Sequence, residues 1–200
     1  MPVEEELFDT FDIAGDPTGT APRSRVHRDG LWHRASNVLL FRSDGRLIVQ
    51  QRGWDKDVCP GAWDLSAAEH LQPGETYEQG ALRGLHEELG VTGVALQQLG
   101  EVVQARLEIA GKGIKDCELQ QTFRGVFDGE LRPEPGDVRA VASMTLTELA
   151  SAMSARPADF TPWFRDTIVR LGLLGAAWME GRPVMYAAAI INSGNSGARP

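Results

Sequence analysis

The sequence predicts an α+β fold in which a mixed β-sheet carries helices packed on its faces. Three observations predict it. Short β-like runs flank an amphipathic helical stretch at residues 74–91, two helix-start signals follow the last run, and the order strand, strand, helix, strand, strand, helix suits a layered domain.

Taken in order, Leu7, Phe8, Phe11 and Ile13 suggest an opening hairpin strand, and the Gly/Pro/Thr-rich residues 15–22 suggest a loop after it. Residues 38–41 and 47–51 are β-like runs separated by Ser43-Asp44-Gly45, where Gly supplies the positive φ of a hairpin turn. Residues 63–70 read as one short strand leading into the helix. Within that helix Tyr77, Ala81, Leu82, Leu85 and Leu89 fall at helical spacing and should pack inward, while Arg83, Glu87 and Glu88 project from its flank and His86 faces solvent. Pro73 and Gly74 should open the helix and Gly90 should stop it.

Residues 102–109 and 118–127 alternate as two paired strands joined through Gly111-Lys112-Gly113, and residues 138–144 form a further strand. Thr145-Leu146-Thr147-Glu148 is a capping box that should start a helix running to about Ala155. Pro162 suits the first turn of a last helix whose apolar stripe is Trp163, Phe164, Ile168 and Leu171. From Gly181 the pattern decays, and residues 192–200 are polar and Gly-rich. One domain over residues 1–180 is expected, with residues 181–200 as a disordered tail.

With 28 Asp and Glu against 20 Lys and Arg, the formal net charge of −8 argues against a protein that grips nucleic acid through its phosphates. A small anionic ligand is compatible with that charge if a metal and a few basic side chains neutralise it locally. Cys59 and Cys117 do not make a disulfide framework and read as reduced, packed thiols. The acidic N-terminus lacks the basic-then-apolar run of a secretory signal, and no apolar stretch approaches a membrane span. A cytoplasmic protein without membrane or nucleic-acid partners is expected.

The chemistry concentrates on the helix. Glu87 and Glu88 are adjacent carboxylates whose mutual repulsion, in a partly enclosed site, favours capture of a cation. Mg²⁺ or Mn²⁺ suits such hard oxygen ligands and would screen a phosphorylated substrate, so Glu88 and then Glu87 are the first candidate metal ligands. Trp54 and Trp63 are as suited to packing as to stacking on a base.

With Glu75, Arg83, Leu85, Glu87, Glu88, Gly90 and Val91 in register, the stretch from Glu69 to Val91 resembles the Nudix box. Two positions depart from it: Glu69 stands where the first Gly belongs, and Gly84 stands where the Glu after Arg83 belongs. Gln51-Arg52, Lys56, Pro60-Gly61, Trp63, His70, Asp116-Cys117-Glu118-Leu119 and Phe160-Thr161-Pro162-Trp163-Phe164 are further similar to the type I isopentenyl-diphosphate isomerases, which are Nudix-fold relatives. The resemblance spans about residues 5–173, but Ala68 occupies the place of those isomerases' catalytic Cys, two before His70. Many Nudix hydrolases share this isomerase-like layout, and the chain resembles them more closely.

The resemblance implies an α/β/α sandwich, a divalent metal, and a small phosphorylated metabolite as substrate. It assigns diphosphate contacts to Arg52 and Lys56. Arg83 is expected to orient Glu75 or Glu87, with the phosphate as its other candidate partner, and Glu75 to hold its loop by accepting backbone N–H groups. Since Gly84 has no carboxylate, the general base must come from elsewhere, with Glu118 first and Asp116 and Glu69 behind it. His33 and His70, with His27 and the Asp116/Glu118 pair, suggest a second divalent-metal site. The expected function is a metal-dependent Nudix hydrolase cleaving a diphosphate linkage, a nucleoside diphosphate derivative being one candidate substrate. An isopentenyl-diphosphate isomerase and a non-catalytic Nudix-fold binding module are the alternatives.

Overall fold

A computed structural model describes residues 5–109 and 111–174, and among these residues nine strands form one mixed sheet. The expected domain end at residue 180 and the tail at 181–200 lie outside the described residues.

The spine of the sheet is β3 (Trp32–Phe41), which runs parallel to β8 (Ile114–Val126) from Trp32↔Cys117 to Phe41↔Val126. On its other edge β3 pairs antiparallel first with β6 (Ala67–His70) and then with β4 (Leu47–Arg52). β7 (Gln97–Ile109) continues the sheet beyond β8, and β9 (Val138–Met144) continues it beyond β4. Strand periodicity sorts the core into two layers. Val38, Leu40 and Ile48 face the helix α2 (Tyr77–Leu89) and its Ala81, Leu85 and Leu89. Leu39, Leu47 and Val49 face Leu149 and Met153 of α3 (Leu146–Ala155) and Phe164 and Ile168 of α4 (Pro162–Arg170). Helices therefore cover both faces of an α+β sandwich. Leu85 is fully buried, so Leu85→Ala is expected to cost about 2–5 kcal/mol in urea unfolding.

Several elements differ from the sequence expectation. Residues 17–22, expected as a loop, form β2 (Pro17–Pro22), antiparallel to β1 (Leu7–Phe11). Pro and Gly are tolerated there because β2 lies at the edge of the sheet, where a missing N–H costs no ladder bond. A short helix, α1 (Arg23–Asp29), follows it, closed by Gly30 in the left-handed conformation at φ 69°. Residues 63–70 are two strands rather than one. β5 (Trp63–Asp64) pairs with β4, β6 pairs with β3, and Ser66 between them accepts from Leu40 N at 2.7 Å and donates to Ile48 O at 2.5 Å. α2 begins at Tyr77, later than Gly74, because Thr76 and Gln79 make a reciprocal capping box. Tyr77 packs only at the margin of the core and Leu82 is half-buried, whereas Gly80 and Gly84 are buried. The capping box at Thr145 and Glu148, and Pro162 in the first turn of α4, stand where the sequence placed them.

Candidate active site

Period two on β3 and β8, together with their register, builds the site. His33 lies opposite Glu118, Asp116 lies two residues before Glu118 on the same face, and β6 places His70 opposite Ala35. α1 adds His27. The nitrogen or oxygen atoms that His27, His33, His70 and Asp116 offer all lie within 4.8 Å of one another. Asp116 Oδ1 is 3.4 Å from His33 Nε2 and 3.7 Å from His27 Nε2, while His70 Nε2 donates to Glu118 Oε1 at 2.9 Å. Phe8 of β1 roofs the group, stacking on His33 at 5.3 Å with an 11° interplanar angle and tilting against His70 at 4.8 Å.

His33 Nδ1 sits 3.0 Å from Leu31 O, which fixes the tautomer and leaves Nε2 free to accept. Yet His33 Nε2, His27 Nε2 and Asp116 Oδ1 are buried with no hydrogen-bond partner. Buried polar atoms are ordinarily paired, so three of them converging call for a shared partner. Ligands about 2.1 Å from one ion lie about 3.0–3.5 Å apart, which matches the closer separations here. Imidazole and carboxylate donors together fit a divalent transition metal.

The electrostatics agree. Burial, and then the charge of His70, bring His27 down to about 3 and His33 to about 4, so both imidazoles are neutral. Burial pulls against a charge on His70, but its hydrogen bond to Glu118 and the charges of Glu118 and Asp116 raise it. Burial likewise opposes the charge on Glu118, yet the hydrogen bond and charge of His70 hold its carboxyl well below the usual range. Burial and Glu118 push Asp116 up. Glu118, the base expected from sequence, thus stands hydrogen-bonded to His70 beside the histidine group.

His27, His70, Asp116 and Glu118 open on a cavity of about 330 Å³, which is also lined by Glu69, Glu87 and Glu88. Gln50 Nε2 donates to Glu88 Oε2 at 2.5 Å. Burial, reinforced by the charge of Glu69, pushes the Glu88 carboxyl up to about 8. Glu87, about half-exposed, pairs with Arg83 at 3.0 Å. Arg52, Lys56 and Arg23 supply positive charge to the cavity wall. Arg52 is held by Asp64 at 3.1 Å, with its guanidinium 5.2 Å from the centre of the Trp163 ring, and Lys56 pairs with Asp137 at 2.5 Å.

Arg83 does not line the cavity, and its phosphate role finds no support there. Its guanidinium donates to Glu75, Glu87 and His70 O and lies 3.4 Å from Glu69, so its donors are committed to positioning. Glu75 in turn accepts from Gln72 N at 2.7 Å. His86 is exposed, Trp54 is exposed beneath the Arg139 guanidinium, and Trp63 packs at the edge of the α3/α4 layer. Cys59 and Cys117 are free thiols.

Sequence reasoning missed Arg23, Asp64 and Gln50. Gln50 had a signal, because period two from Ile48 aims it at α2. Arg23 and the buried Asp64 had none, since their neighbours come from distant parts of the chain.

Among the described residues no helix is long and apolar enough to cross a membrane. The NUDIX domain family profile matches residues 31–164. An isopentenyl-diphosphate Delta-isomerase of Nocardia farcinica is 34% identical over 181 residues, covering 90% of this chain and 98% of that protein. One of Streptomyces avermitilis is 35% identical over 166 residues, covering 82% and 83%. Among solved structures, DR0079 from Deinococcus radiodurans superposes with a TM-score of 0.61 at 22% identity, covering 75% of this chain and 90% of that one. That likeness concerns the fold.

Proposed function

The chain belongs to the NUDIX domain family, and on that premise we propose that it is a metal-dependent hydrolase cleaving a diphosphate linkage in a small phosphorylated metabolite. Nucleoside diphosphate derivatives are the first substrates to try. The observation that carries the reading is Ala68. It lines the same cavity as Glu88, Arg52, Lys56, His27 and His70, so the fittings for a metal-bound diphosphate are present while residue 68, where the resemblance puts the isomerases' catalytic Cys, offers only a methyl group. Moving a proton between carbons by those isomerases' route needs an ionisable group at that place, and a methyl group can neither donate nor accept a proton.

When bound, a divalent ion would screen the diphosphate and acidify a coordinated water. His27, His33, His70, Asp116 and Glu118 are the residues that would hold one ion, and Glu88, with Glu87 beside it, would hold another. Arg52, kept in orientation by Asp64, and Lys56 would fix the diphosphate oxygens. Because an ion must displace the protons that His70 and Asp116 hold more firmly than usual, Mn²⁺ affinity is expected to rise between about pH 6 and pH 8. Calorimetric titration checks this, and a flat profile would count against these ligands.

A second reading, isopentenyl-diphosphate isomerisation, is favoured by the names of the Nocardia and Streptomyces relatives. The discriminating experiment offers Mg²⁺ or Mn²⁺ with a panel of nucleoside diphosphate derivatives and isopentenyl diphosphate, following phosphate monoesters or free phosphate from the cleaved linkage and allylic product together. Cleavage of the linkage supports the hydrolase, allylic product with the diphosphate intact supports the isomerase, and binding without either product supports a ligand-binding module.

A further inference from the structure

The two departures from the box, at positions 69 and 84, meet in space. Period two on β6 turns Ala67 and Glu69 toward α2, where Ala67 is buried in the helix-facing core. The helix residue opposite is Gly84. A Cβ placed on Gly84 would lie 2.9 Å from Glu69 Cβ, 3.4 Å from its Cγ and 3.7 Å from Oε2. The closest clash involves the root of the Glu69 side chain, so rotating its far end does not relieve it. The room that a side chain at 84 would need is the room Glu69 occupies.

Glu69 reaches the cavity wall that Glu87 and Glu88 also line. Arg83 balances part of this negative charge through its pairs with Glu69, Glu75 and Glu87. Glu88 has an amide, Gln50, as its close partner rather than a cation. The histidine group of the same cavity would hold its own ion, and fully buried His33 leaves its Nε2 without a partner 3.4 Å from Asp116 in the cavity lining. We infer that Glu69 supplies from strand β6 the carboxylate that helix α2 lacks at position 84, and that it shares a divalent cation with Glu88. This rests on the metal-dependent reading above.

The test compares Glu69→Gln, Glu88→Gln, Gly84→Glu, Glu69→Gly and the double change Glu69→Gly/Gly84→Glu. Mn²⁺ binding is followed by electron paramagnetic resonance with and without inorganic pyrophosphate, and melting by circular dichroism. Glu69→Gln keeps the shape of the side chain, so it should melt like the parent while binding Mn²⁺ at the carboxylate wall about 10- to 100-fold more weakly. Gly84→Glu alone should melt lower. The double change should recover both melting temperature and Mn²⁺ affinity, because the carboxylate has changed elements without leaving the wall. Unchanged Mn²⁺ affinity in Glu69→Gln, or a double change no better than Gly84→Glu, overturns the inference. In that event a weakened Glu88→Gln would leave an ion at the carboxylate wall without Glu69, and an unaffected Glu88→Gln would remove that ion and leave only the histidine group to carry the metal-dependent reading.

Discussion

Glu88→Gln is expected to lower kcat/KM more than about 100-fold while leaving the protein at least as stable as the parent. The two effects separate because Glu88 is costly to the fold when ionised. Its carboxyl goes from an ordinary value of 4.5 to about 8, first through burial and then through the field of Glu69. Between those values the folded chain binds a proton that the unfolded chain has released. Stability without metal therefore falls as pH rises through this window, by at most a few kcal/mol. Glutamine removes that dependence and can still pair with the Gln50 amide. The metal-free variant should thus match the parent near pH 5 and exceed it near pH 8, while added Mn²⁺ should stabilise the parent more. Thermal melts at the two pH values beside steady-state kinetics check this, and a variant that unfolds as it loses activity would contradict it.

Asp64→Ala is expected to cost about 3–5 kcal/mol in urea unfolding and to raise KM. Asp64 is fully buried and accepts from Arg52 Nη1 at 3.1 Å, Thr161 Oγ1 at 2.8 Å, Trp163 Nε1 at 2.7 Å and Leu65 N at 2.8 Å. Alanine leaves a poorly exposed guanidinium uncompensated and several donors unpaired, which is the expensive way to break a buried ion pair. It also frees Arg52 from the direction in which the cavity needs it, so substrate affinity should drop even in the molecules that remain folded. Asp64→Asn keeps an acceptor for Thr161 and Trp163 and should fall between the two. A loss under about 1 kcal/mol for Asp64→Ala would show that water or rearrangement satisfies these groups.

The carriers of chemistry were legible where side-chain type and spacing coincide. The adjacent Glu87 and Glu88 at the end of an amphipathic helix, and the Asp116/Glu118 pair on one face of a strand, could be read directly. His33 and His70 were legible only through their flanking motifs, and the register of β3 with β6 and β8 brings them together. What could not be read depends on partners remote in sequence. Phe8 belongs to an opening strand recognisable from its apolar residues, but its place over three imidazoles follows from the edge pairing of β1 with β3 at Phe11↔Trp32. α1 was invisible because Val26 is its one buried residue, too few for a periodic signal. Gly84, read along the helix, was a missing carboxylate whose replacement had to be sought elsewhere, and that Glu69 fills the space beside it follows from the packing of β6 against α2.

The most direct test of the proposed chemistry is mass analysis of products formed with Mn²⁺ in water enriched in both ¹⁸O and deuterium, using isopentenyl diphosphate and a panel of nucleoside diphosphate derivatives. Hydrolysis predicts one ¹⁸O from solvent in one of the two products of the cleaved linkage, a phosphate monoester or, from a terminal diphosphate, free phosphate, with no deuterium on carbon. Deuterium in the carbon skeleton of an otherwise intact allylic diphosphate would contradict the account and would mean that some group other than residue 68 completes a proton-transfer pair across the cavity.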